Sequence, residues 1–257
     1  MIPSYAVIGC SVQLSSSPKI HRWFAEQTGC NLSYSAISVP DSEFERQVMD
    51  FFTNGGHGLN ITHPYKMRAY AMHDSASVRC HQAQAANTLV WEQGRIHADN
   101  TDGVGLVADL KQCCKIKDQH ILILGAGGAT HGILGALKST EPPSITIANR
   151  TPKIISNYNI PVIKYDLLQD NYTLIVNATS ATFLERILPE RIFKQKPLCY
   201  DLNYQTTSSF LTYASKSGCA TVNGLGMLIE QAAESFLLWH AVRPKTTDMH
   251  RVYSEFF

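Results

Sequence analysis

Apolar runs and helical spacings alternate along the first half of the chain. Short runs rich in β-branched and aromatic residues predict strands over residues 5–9, 33–39 and 58–61. Apolar positions at helical spacing predict helices over residues 18–28 and 41–54. This alternation indicates a mostly parallel sheet, whose ligands bind at the carboxyl ends of its strands. The polar segment 62–66 follows one such strand and is predicted to be a turn.

The second half is built around one continuous apolar strand, 120–124, of the kind that is buried on both faces. It is followed by a glycine-rich turn. The remaining pattern predicts helices over 103–113, 128–138 and 227–240, and strands over 144–148, 174–176, 198–201 and 220–222. We therefore predict an α/β protein with an N-terminal α/β substrate domain plus a Rossmann-type dinucleotide-binding domain. The first would comprise residues 1–100, completed by 225–257, and the second residues 101–224.

Composition excludes several classes of protein. The chain has 257 residues, of which 44% are hydrophobic and 17% charged, as in ordinary globular proteins. A net charge of +1 gives no field that would attract nucleic acid or an anionic membrane, so neither is an expected partner. The first residues contain no basic leader before an apolar stretch, and the seven cysteines include no C-x-x-C pair. We expect reduced thiols, a cytoplasmic location and no metal site.

The glycine-rich turn runs Gly125-Ala126-Gly127-Gly128-Ala129 between the buried strand and a helix. Glycines there let the backbone turn tightly and approach a pyrophosphate, and the helix start offers free N–H groups to its oxygens. Thr130 occupies the place of the third glycine in the usual G-x-G-x-x-G pattern. Such a turn alone is weak evidence, but its position between strand and helix favours a dinucleotide site.

The end of the next strand indicates which dinucleotide is bound. Enzymes that use NAD often place Asp or Glu there to bind the ribose 2′-hydroxyl. This chain has Asn149-Arg150-Thr151, with Lys153 two residues further on. A guanidinium can pair with a 2′-phosphate, which favours NADP as cofactor. The alternative is that Arg150 is a solvated surface charge.

Polar clusters precede the glycine turn. They contain Ser15 and Ser17; Asn60, Thr62 and Lys66; Asn87 and Thr88; and Asn100, Thr101 and Asp102. Hydroxyl and amide groups match a small ligand rich in hydroxyls. Hydride transfer to a ketone requires a proton donor, and Lys66 with Asp102 could form that acid/base pair. The alternatives are helix caps for the serines and for Asp102. No G-x-S-x-G motif supports a Ser/His/Asp hydrolase.

Gln231 lies on the inward face of the last predicted helix, with Leu228, Ser235 and Leu238 at helical spacing. A buried amide needs a partner. That partner is either neighbouring backbone or a ligand, and the sequence leaves both open.

Eight of these motifs, in this order, resemble the shikimate dehydrogenase family. They are Ser15-x-Ser17-Pro18, Asn60-Ile-Thr62-x-Pro64-x-Lys66, Asn87-Thr88, Asn100-Thr101-Asp102-Gly103, the 125–129 turn, Asn149-Arg150-Thr151, Asn177-Ala178-Thr179-Ser180, and Gly224 to Met227 through Gln231-Ala-Ala233. The chain departs from the family pattern at Ser16, at Ile154 and at residues 181–183.

The resemblance implies NADPH-dependent reduction of 3-dehydroshikimate to shikimate in aromatic amino-acid biosynthesis, by a monomer or homodimer. It implies that Lys66 and Asp102 are catalytic, with Lys66 the acid/base residue. The implied substrate-binding residues are Ser15, Ser17, Thr62, Asn87, Asp102, Tyr204 and Gln231. The implied cofactor-binding residues are Gly125, Ala126, Gly127, Gly128, Ala129, Asn149, Arg150, Thr151, Lys153, Leu202 and Gly224.

Two other functions fit the same motifs. One is a quinate/shikimate dehydrogenase that uses NAD, and the other is a dinucleotide-sensing module without turnover. Retention of Lys66 and Asp102 argues against the sensor, because a sensor needs no proton donor.

Overall fold

The computed structural model describes residues 2–204 and 208–249, without the side chains of Lys153 and Ser156. The strands are β1 (Ser4–Gly9), β2 (Ser33–Ser38), β3 (Gly56–Ile61), β4 (Ser75–Ala76), β5 (Thr88–Glu92), β6 (Arg95–Asp99), β7 (His120–Leu124), β8 (Ser144–Ala148), β9 (Lys153–Ile155), β10 (Ile160–Ile163), β11 (Leu174–Asn177), β12 (Leu198–Asp201) and β13 (Thr221–Asn223). The α-helices are α1 (Ser17–Thr28), α2 (Phe44–Thr53), α3 (Lys66–Ala71), α4 (Val78–Ala83), α5 (Asp102–Cys113), α6 (Gly128–Lys138), α7 (Ser209–Lys216) and α8 (Leu225–His240).

The chain forms two compact units. Unit 1 comprises Met1–Leu106 with Leu228–Phe257, and unit 2 comprises Val107–Met227. Both borders fall inside helices, α5 and α8, a few residues beyond the predicted domain limits at 100 and 224. The predicted limits were placed in the polar loops before these helices. In the structure, the first residues of each helix belong to one unit and the remaining residues to the other. The α/β fold class is confirmed for both units.

Unit 1 contains a six-stranded sheet in the order β2-β1-β3-β5-β6-β4. β1 is parallel to β2 and to β3, as predicted, but β5 is antiparallel to both β3 and β6. The β5–β6 hairpin is not among the predicted elements. Its two-residue turn consists of Gln93 and Gly94, both with positive φ (52° and 78°), which suits the twist of a tight hairpin. Gln-Gly is a weaker turn signal than Asn-Gly or Asp-Gly, and this explains the omission.

The register of this sheet brings several polar segments to one edge. Asn60 on β3 pairs with Thr88, the first residue of β5, and Thr88 pairs with Asp99, the last residue of β6. The carboxyl ends of β3 and β6 therefore meet the start of β5. β1, parallel to β3, ends at the same edge. We call this edge the carboxyl edge of unit 1.

One hydrophobic cluster of unit 1 includes the apolar face of α2, which packs on the sheet. Phe44, Val48 and Phe52 recur every fourth residue and are at most 2% exposed, and they belong to one cluster with Ile8 and Leu59. Burial of each such side chain contributes about 1.5–3 kcal/mol. This packing fixes the strands that carry the polar edge.

Unit 2 contains a seven-stranded sheet in the order β13-β12-β11-β7-β8-β10-β9. It is parallel except at β9, which is antiparallel to β10. The first strand of the unit, β7, lies between β11 and β8, so chain order reverses there. Residues 121–124 of β7 are fully buried, as the apolar run predicts. Ligands of such sheets bind at this switch point.

The segment between β8 and β11 contains only short strands and single 3₁₀ turns in the described structure. Pro152 and Pro161 lie in it, and proline disfavours a helix at both places. Among the described residues, no helix combines the length and the apolar character that a membrane crossing requires. All seven cysteines are free of disulfides.

Candidate active site

An ion pair between Lys66 and Asp102 lies at the carboxyl edge of unit 1. Lys66 is the first residue of α3 and Asp102 the first of α5, so each follows directly on the polar end of a strand region. Lys66 Nζ lies 2.5 Å from Asp102 Oδ2, with the side chains 16% and 5% exposed. Removing both charges from water costs free energy, so a buried ion pair is weak evidence of a stabilising role. A chemical role explains the presence of this pair more readily.

Asn87 holds the second oxygen of Asp102. Its Nδ2 donates to Asp102 Oδ1 at 2.9 Å and to Gln231 Oε1 at 3.1 Å. The amide of Gln231 is itself oriented, because its Nε2 donates to the carbonyl of Leu228 at 2.8 Å. Gln231 therefore realises the backbone alternative through Nε2, while Oε1 accepts from Asn87, and contact with a ligand stays a prediction.

Ser15, Ser17 and Thr62 follow the ends of β1 and β3. Ser15 Oγ donates to Ser17 Oγ at 3.2 Å and accepts from the Ser17 N–H at 3.2 Å, while Ser16 makes no side-chain cap. The Thr62 N–H donates to the carbonyl of Ile8 at 2.9 Å, which ties the two strand ends together. Part of the capping alternative is thus realised at Ser15.

A second ion-pair group links α8 to the sheet of unit 1. Arg79 Nε lies 2.6 Å from Asp99 Oδ1, and its Nη1 lies 2.8 Å from Glu234 Oε1. Burial would raise the pKa of Asp99, but hydrogen bonds from Arg79 and Ser77 outweigh it and hold that pKa below its ordinary value. These bonds fix α8, which carries Gln231.

The glycine turn of unit 2 has a shape that suits a dinucleotide. Gly125 has φ +103°, and a Cβ there would lie 2.8 Å from Thr179 Cγ2. Gly127 precedes α6, and a Cβ there would meet nothing within 4 Å. Thr130, in the place of the third glycine, is buried and donates to the carbonyl of Gly125 at 2.9 Å. The open space at Gly127, in front of a helix start, fits a pyrophosphate.

The end of β8 presents exposed polar groups. Arg150 and Thr151 are exposed, and Asn149 Nδ2 donates to the carbonyl of Thr151 at 3.3 Å. Arg150 is close enough to Tyr165 to oppose the rise in the pKa of that phenol that its burial produces. Lys153 begins β9, and its side chain lies outside the described structure.

The ends of β11 and β12 lie beside each other in unit 2. Asn177 Nδ2 donates to Asp201 Oδ2 at 3.1 Å, and the Leu202 N–H donates to the carbonyl of Asn177 at 2.9 Å. Burial raises the pKa of Asp201, against hydrogen bonds from Ser208, Asn203 and Asn177. At Gly224 a Cβ would lie 2.2 Å from the Leu202 carbonyl oxygen, so glycine is required there. Tyr204 follows this strand end and is half-buried.

Comparison with known proteins identifies the family. Residues 7–89 match a family model described as the shikimate dehydrogenase substrate binding domain, and residues 224–252 match the shikimate 5′-dehydrogenase C-terminal domain. The shikimate dehydrogenase (NADP(+)) of Legionella pneumophila strain Corby is 46% identical over 255 residues, 96% of either chain. The chain belongs to the shikimate dehydrogenase family. A relative of the same name from Alkalilimnicola ehrlichii is 41% identical over 260 residues, again covering 96% of each chain.

Solved structures of the family have the same fold. Shikimate 5-dehydrogenase from Thermus thermophilus, in complex with NADP(H) and shikimate, matches with a TM-score of 0.86 and 29% identity, covering 97% of this chain and 98% of that one. An Ael1 enzyme from Pseudomonas putida matches with a TM-score of 0.84 and 36% identity over 96% of both chains. The Rossmann-type expectation for unit 2 agrees with these neighbours.

The structure places the predicted site residues of this shikimate dehydrogenase family member in two groups. Unit 1 holds Ser15, Ser17, Thr62, Lys66, Asn87, Asp102 and Gln231, and direct bonds join the last four. Unit 2 holds Tyr204 with the predicted cofactor residues: Gly125, Ala126, Gly127, Gly128, Ala129, Asn149, Arg150, Thr151, Lys153, Leu202 and Gly224. The ligand each residue binds remains a prediction.

Several polar residues at the carboxyl edge were not assigned a role from the sequence. Asn60, Thr88, Thr101 and Ser235 are at most 6% exposed and bond to one another or to Asn87. The first three stand inside recognised motifs, but only the sheet register shows which groups they face. Ser235 is placed on the inward face of the last helix by its spacing, and nothing local in the sequence identifies its partners.

Proposed function

We propose that this chain is an NADP-dependent shikimate dehydrogenase, which reversibly reduces 3-dehydroshikimate to shikimate. The observation that carries the proposal is the buried Lys66–Asp102 pair, 2.5 Å apart and held by Asn87. Relatives of 41–46% identity that span nearly the whole chain carry the same name.

The carboxyl edge of unit 1 suits a small hydroxy acid. Its side chains are hydroxyls, amides and one ammonium, which can bond to alcohols and to a carboxylate. We assign Ser15, Ser17, Thr62, Asn87 and Gln231 to substrate binding, together with Tyr204 of unit 2. The net charge of +1 provides little steering, so these local groups must supply recognition.

Lys66 is assigned the proton transfer. NADPH, when bound, supplies a hydride to the carbonyl carbon. The carbonyl oxygen then carries the electron pair of the former π bond and takes a proton from the Lys66 ammonium. In the reverse direction neutral Lys66 removes that proton from the hydroxyl. Asp102 orients Nζ by accepting a hydrogen bond from it.

Unit 2 is assigned to the cofactor. The open space at Gly127 and the free N–H groups at the start of α6 would receive the pyrophosphate. Arg150, with Asn149 and Thr151, would bind the 2′-phosphate, and Lys153 would add a second positive charge. Ala126, Gly128 and Ala129 complete the turn, and Leu202 with Gly224 would also contact the cofactor. We expect a cytoplasmic enzyme that is a monomer or a homodimer.

The test is a spectrophotometric assay of the purified protein with shikimate or quinate, each with NADP⁺ or NAD⁺. The expected result is reduction of NADP⁺ with shikimate at the highest kcat/KM of the four combinations. Highest kcat/KM with NAD⁺ and quinate would identify the sister activity instead. Tight NADPH binding without turnover of either acid would identify a sensor.

A further inference from the structure

We propose that Thr88, Thr101 and Ser235 are positioning residues, which close a ring of hydrogen bonds that locks the Asn87 amide toward Asp102. Asn87 Nδ2 donates to Thr101 Oγ1 at 2.8 Å, and Thr101 Oγ1 lies 3.2 Å from Ser235 Oγ. Ser235 Oγ lies 2.8 Å from Thr88 Oγ1, and Thr88 Oγ1 donates to Asn87 Oδ1 at 2.9 Å. This proposal rests on the function proposed above.

The direction of the ring follows from counting protons. The backbone N–H of Thr101 can only donate, and it points at Asn87 Oδ1 from 2.8 Å. That bond identifies the amide oxygen, so Nδ2 must face Thr101 Oγ1 and Asp102. Thr88 gives its one proton to Asn87 Oδ1, so Ser235 must donate to Thr88. Thr101 then donates toward Ser235 at 3.2 Å, with Gln231 Oε1 a more distant alternative acceptor at 3.4 Å, so each of the three hydroxyls has an acceptor for its proton.

Because the ring is buried, loss of one hydroxyl would affect its other members. Asn87 is 2% exposed, and Thr88, Thr101 and Ser235 are fully buried. Water cannot replace a missing member, so a lost hydroxyl would leave partners unpaired in a low dielectric. Asn60 Nδ2 also donates to Ser235 Oγ at 3.0 Å, so this oxygen accepts from Asn60 as well as from Thr101. A second acceptor for Ser235, the Gln231 carbonyl, lies further away at 3.1 Å.

The ring acts on the proposed chemistry through Asn87. With one Nδ2 hydrogen held by Thr101, the other is shared between Asp102 Oδ1 at 2.9 Å and Gln231 Oε1 at 3.1 Å. A flipped amide would instead turn its oxygen toward the Asp102 carboxylate and its N–H toward the Thr101 N–H, and both contacts are repulsive. The ring therefore keeps Asp102 in the position that holds Lys66. Within the described part of the chain, Ser235 and Thr88 bond to neither the ammonium nor its carboxylate, so their effect is indirect.

The experiment compares Thr88→Val with Thr88→Ser. Valine keeps the shape and removes the hydroxyl, whereas serine keeps the hydroxyl. We expect Thr88→Val to lower kcat for shikimate oxidation about tenfold, with a smaller change in KM, because one buried hydrogen bond is lost. Thr88→Ser should restore most of kcat. Ser235→Ala should resemble Thr88→Val, and the double variant should be no worse than either, since both break the same ring.

A second readout needs no substrate. Exchange of the Thr101 backbone N–H and the Asn87 side-chain amide protons, followed by NMR, should be faster in Thr88→Val than in wild type or Thr88→Ser. Unchanged exchange would overturn the ring, even if wild type failed to oxidise shikimate and the proposed function fell. Faster exchange with unaltered kcat would overturn the positioning role.

Thr28→Val is the matched control. Thr28 is also in unit 1, and its hydroxyl donates to the carbonyl of Phe24 at 2.7 Å, outside the ring. It should leave kcat, KM and the exchange of the Thr101 N–H unchanged. Equal losses of kcat in Thr28→Val and Thr88→Val would show a general effect of hydroxyl removal and overturn the proposal.

Discussion

Lys66 and Asp102 stand 36 positions apart in the chain, yet their charged atoms are in contact. Each is recognisable in sequence because it sits in a polar turn motif after a strand. That they form a pair depends on the hairpin β5–β6, which returns the chain to the end of β3. The motifs predicted these two residues as a pair, and the register of the sheet explains how they come into contact.

Lys66→Met should lower kcat for shikimate oxidation by about 10²–10⁴, the usual contribution of a positioned acid/base. Methionine keeps most of the volume but has no proton to give, and it leaves Asp102 buried without its partner. Steady-state kinetics on the folded variant checks this, with circular dichroism to confirm folding. Lys111→Met, the same change at an exposed position of α5, should have no effect. Full activity in Lys66→Met would remove the acid/base assignment.

His21 makes unit 1 sensitive to acid. It is fully buried and stacked on Tyr34, with ring centroids 4.3 Å apart. Burial, with His240 nearby, lowers the pKa of His21 to about 3. Between that value and the unfolded value near 6.5, the unfolded chain binds more protons than the folded one, so stability falls as pH falls.

His21→Phe should therefore flatten the pH dependence of the melting temperature between about pH 6 and 4. The wild type should lose stability over this range, on the order of a few kcal/mol. Phenylalanine fills the same aromatic slot without a titrating group. Exposed His63 provides the control, and His63→Phe should leave the slope unchanged. Identical slopes in His21→Phe and wild type would contradict this account of acid sensitivity.

At the scale of elements, β7, the glycine turn and α6 form the segment that the sequence predicts best. The predicted bounds of β7, α6 and β8 agree with the structure, because an apolar run, glycines and a Pro-Pro break give dense local signals. The hairpin β5–β6 and the short helices α3 and α4 are absent from the prediction. Their local signals are weak, and contacts with the rest of unit 1 stabilise them.

The two glycines of this turn should behave differently when replaced by alanine. Gly125→Ala should destabilise unit 2 by about 1–3 kcal/mol, because φ is +103° and the new Cβ would lie 2.8 Å from Thr179 Cγ2. Gly127→Ala has open space, so its melting temperature should match wild type. Its affinity for NADP⁺, measured by calorimetry, should nevertheless fall if the pyrophosphate occupies that space. Unchanged NADP⁺ affinity in a folded Gly127→Ala protein would place the cofactor elsewhere.

At the scale of the molecule, the predicted groups divide between the two compact units. Unit 1 is assembled from two distant chain segments and holds the Lys66 group, and unit 2 holds the glycine turn with Arg150. A ligand stabilises the unit that binds it, by about 2.7 kcal/mol at a hundred times its Kd. Shikimate and NADP⁺ should therefore raise the melting temperature through different residues.

Arg150→Ala should weaken NADP⁺ binding about ten- to hundredfold, since a charged hydrogen bond to the 2′-phosphate contributes about 1.5–3 kcal/mol. The rise in melting temperature with NADP⁺ should shrink, while the rises with shikimate and with NAD⁺ persist. Arg186→Ala, at an 81% exposed arginine of the same unit, is the control. If Arg150→Ala responds to NADP⁺ as wild type does, Arg150 is only a surface charge.

The sequence by itself determined the two-domain α/β class, the glycine turn between a strand and a helix, and the polar residue types at the carboxyl edge of unit 1, while the roles of that turn and of Arg150 in cofactor binding stay predictions. These follow from periodicity and short motifs, which act over a few residues. Only the tertiary structure decided that Asn87 joins Asp102 to Gln231, and that Ser235 closes a ring with Thr88 and Thr101. Hydrogen bonds act over about 3 Å, so partners more than a hundred positions apart meet only once strand register and helix packing are fixed.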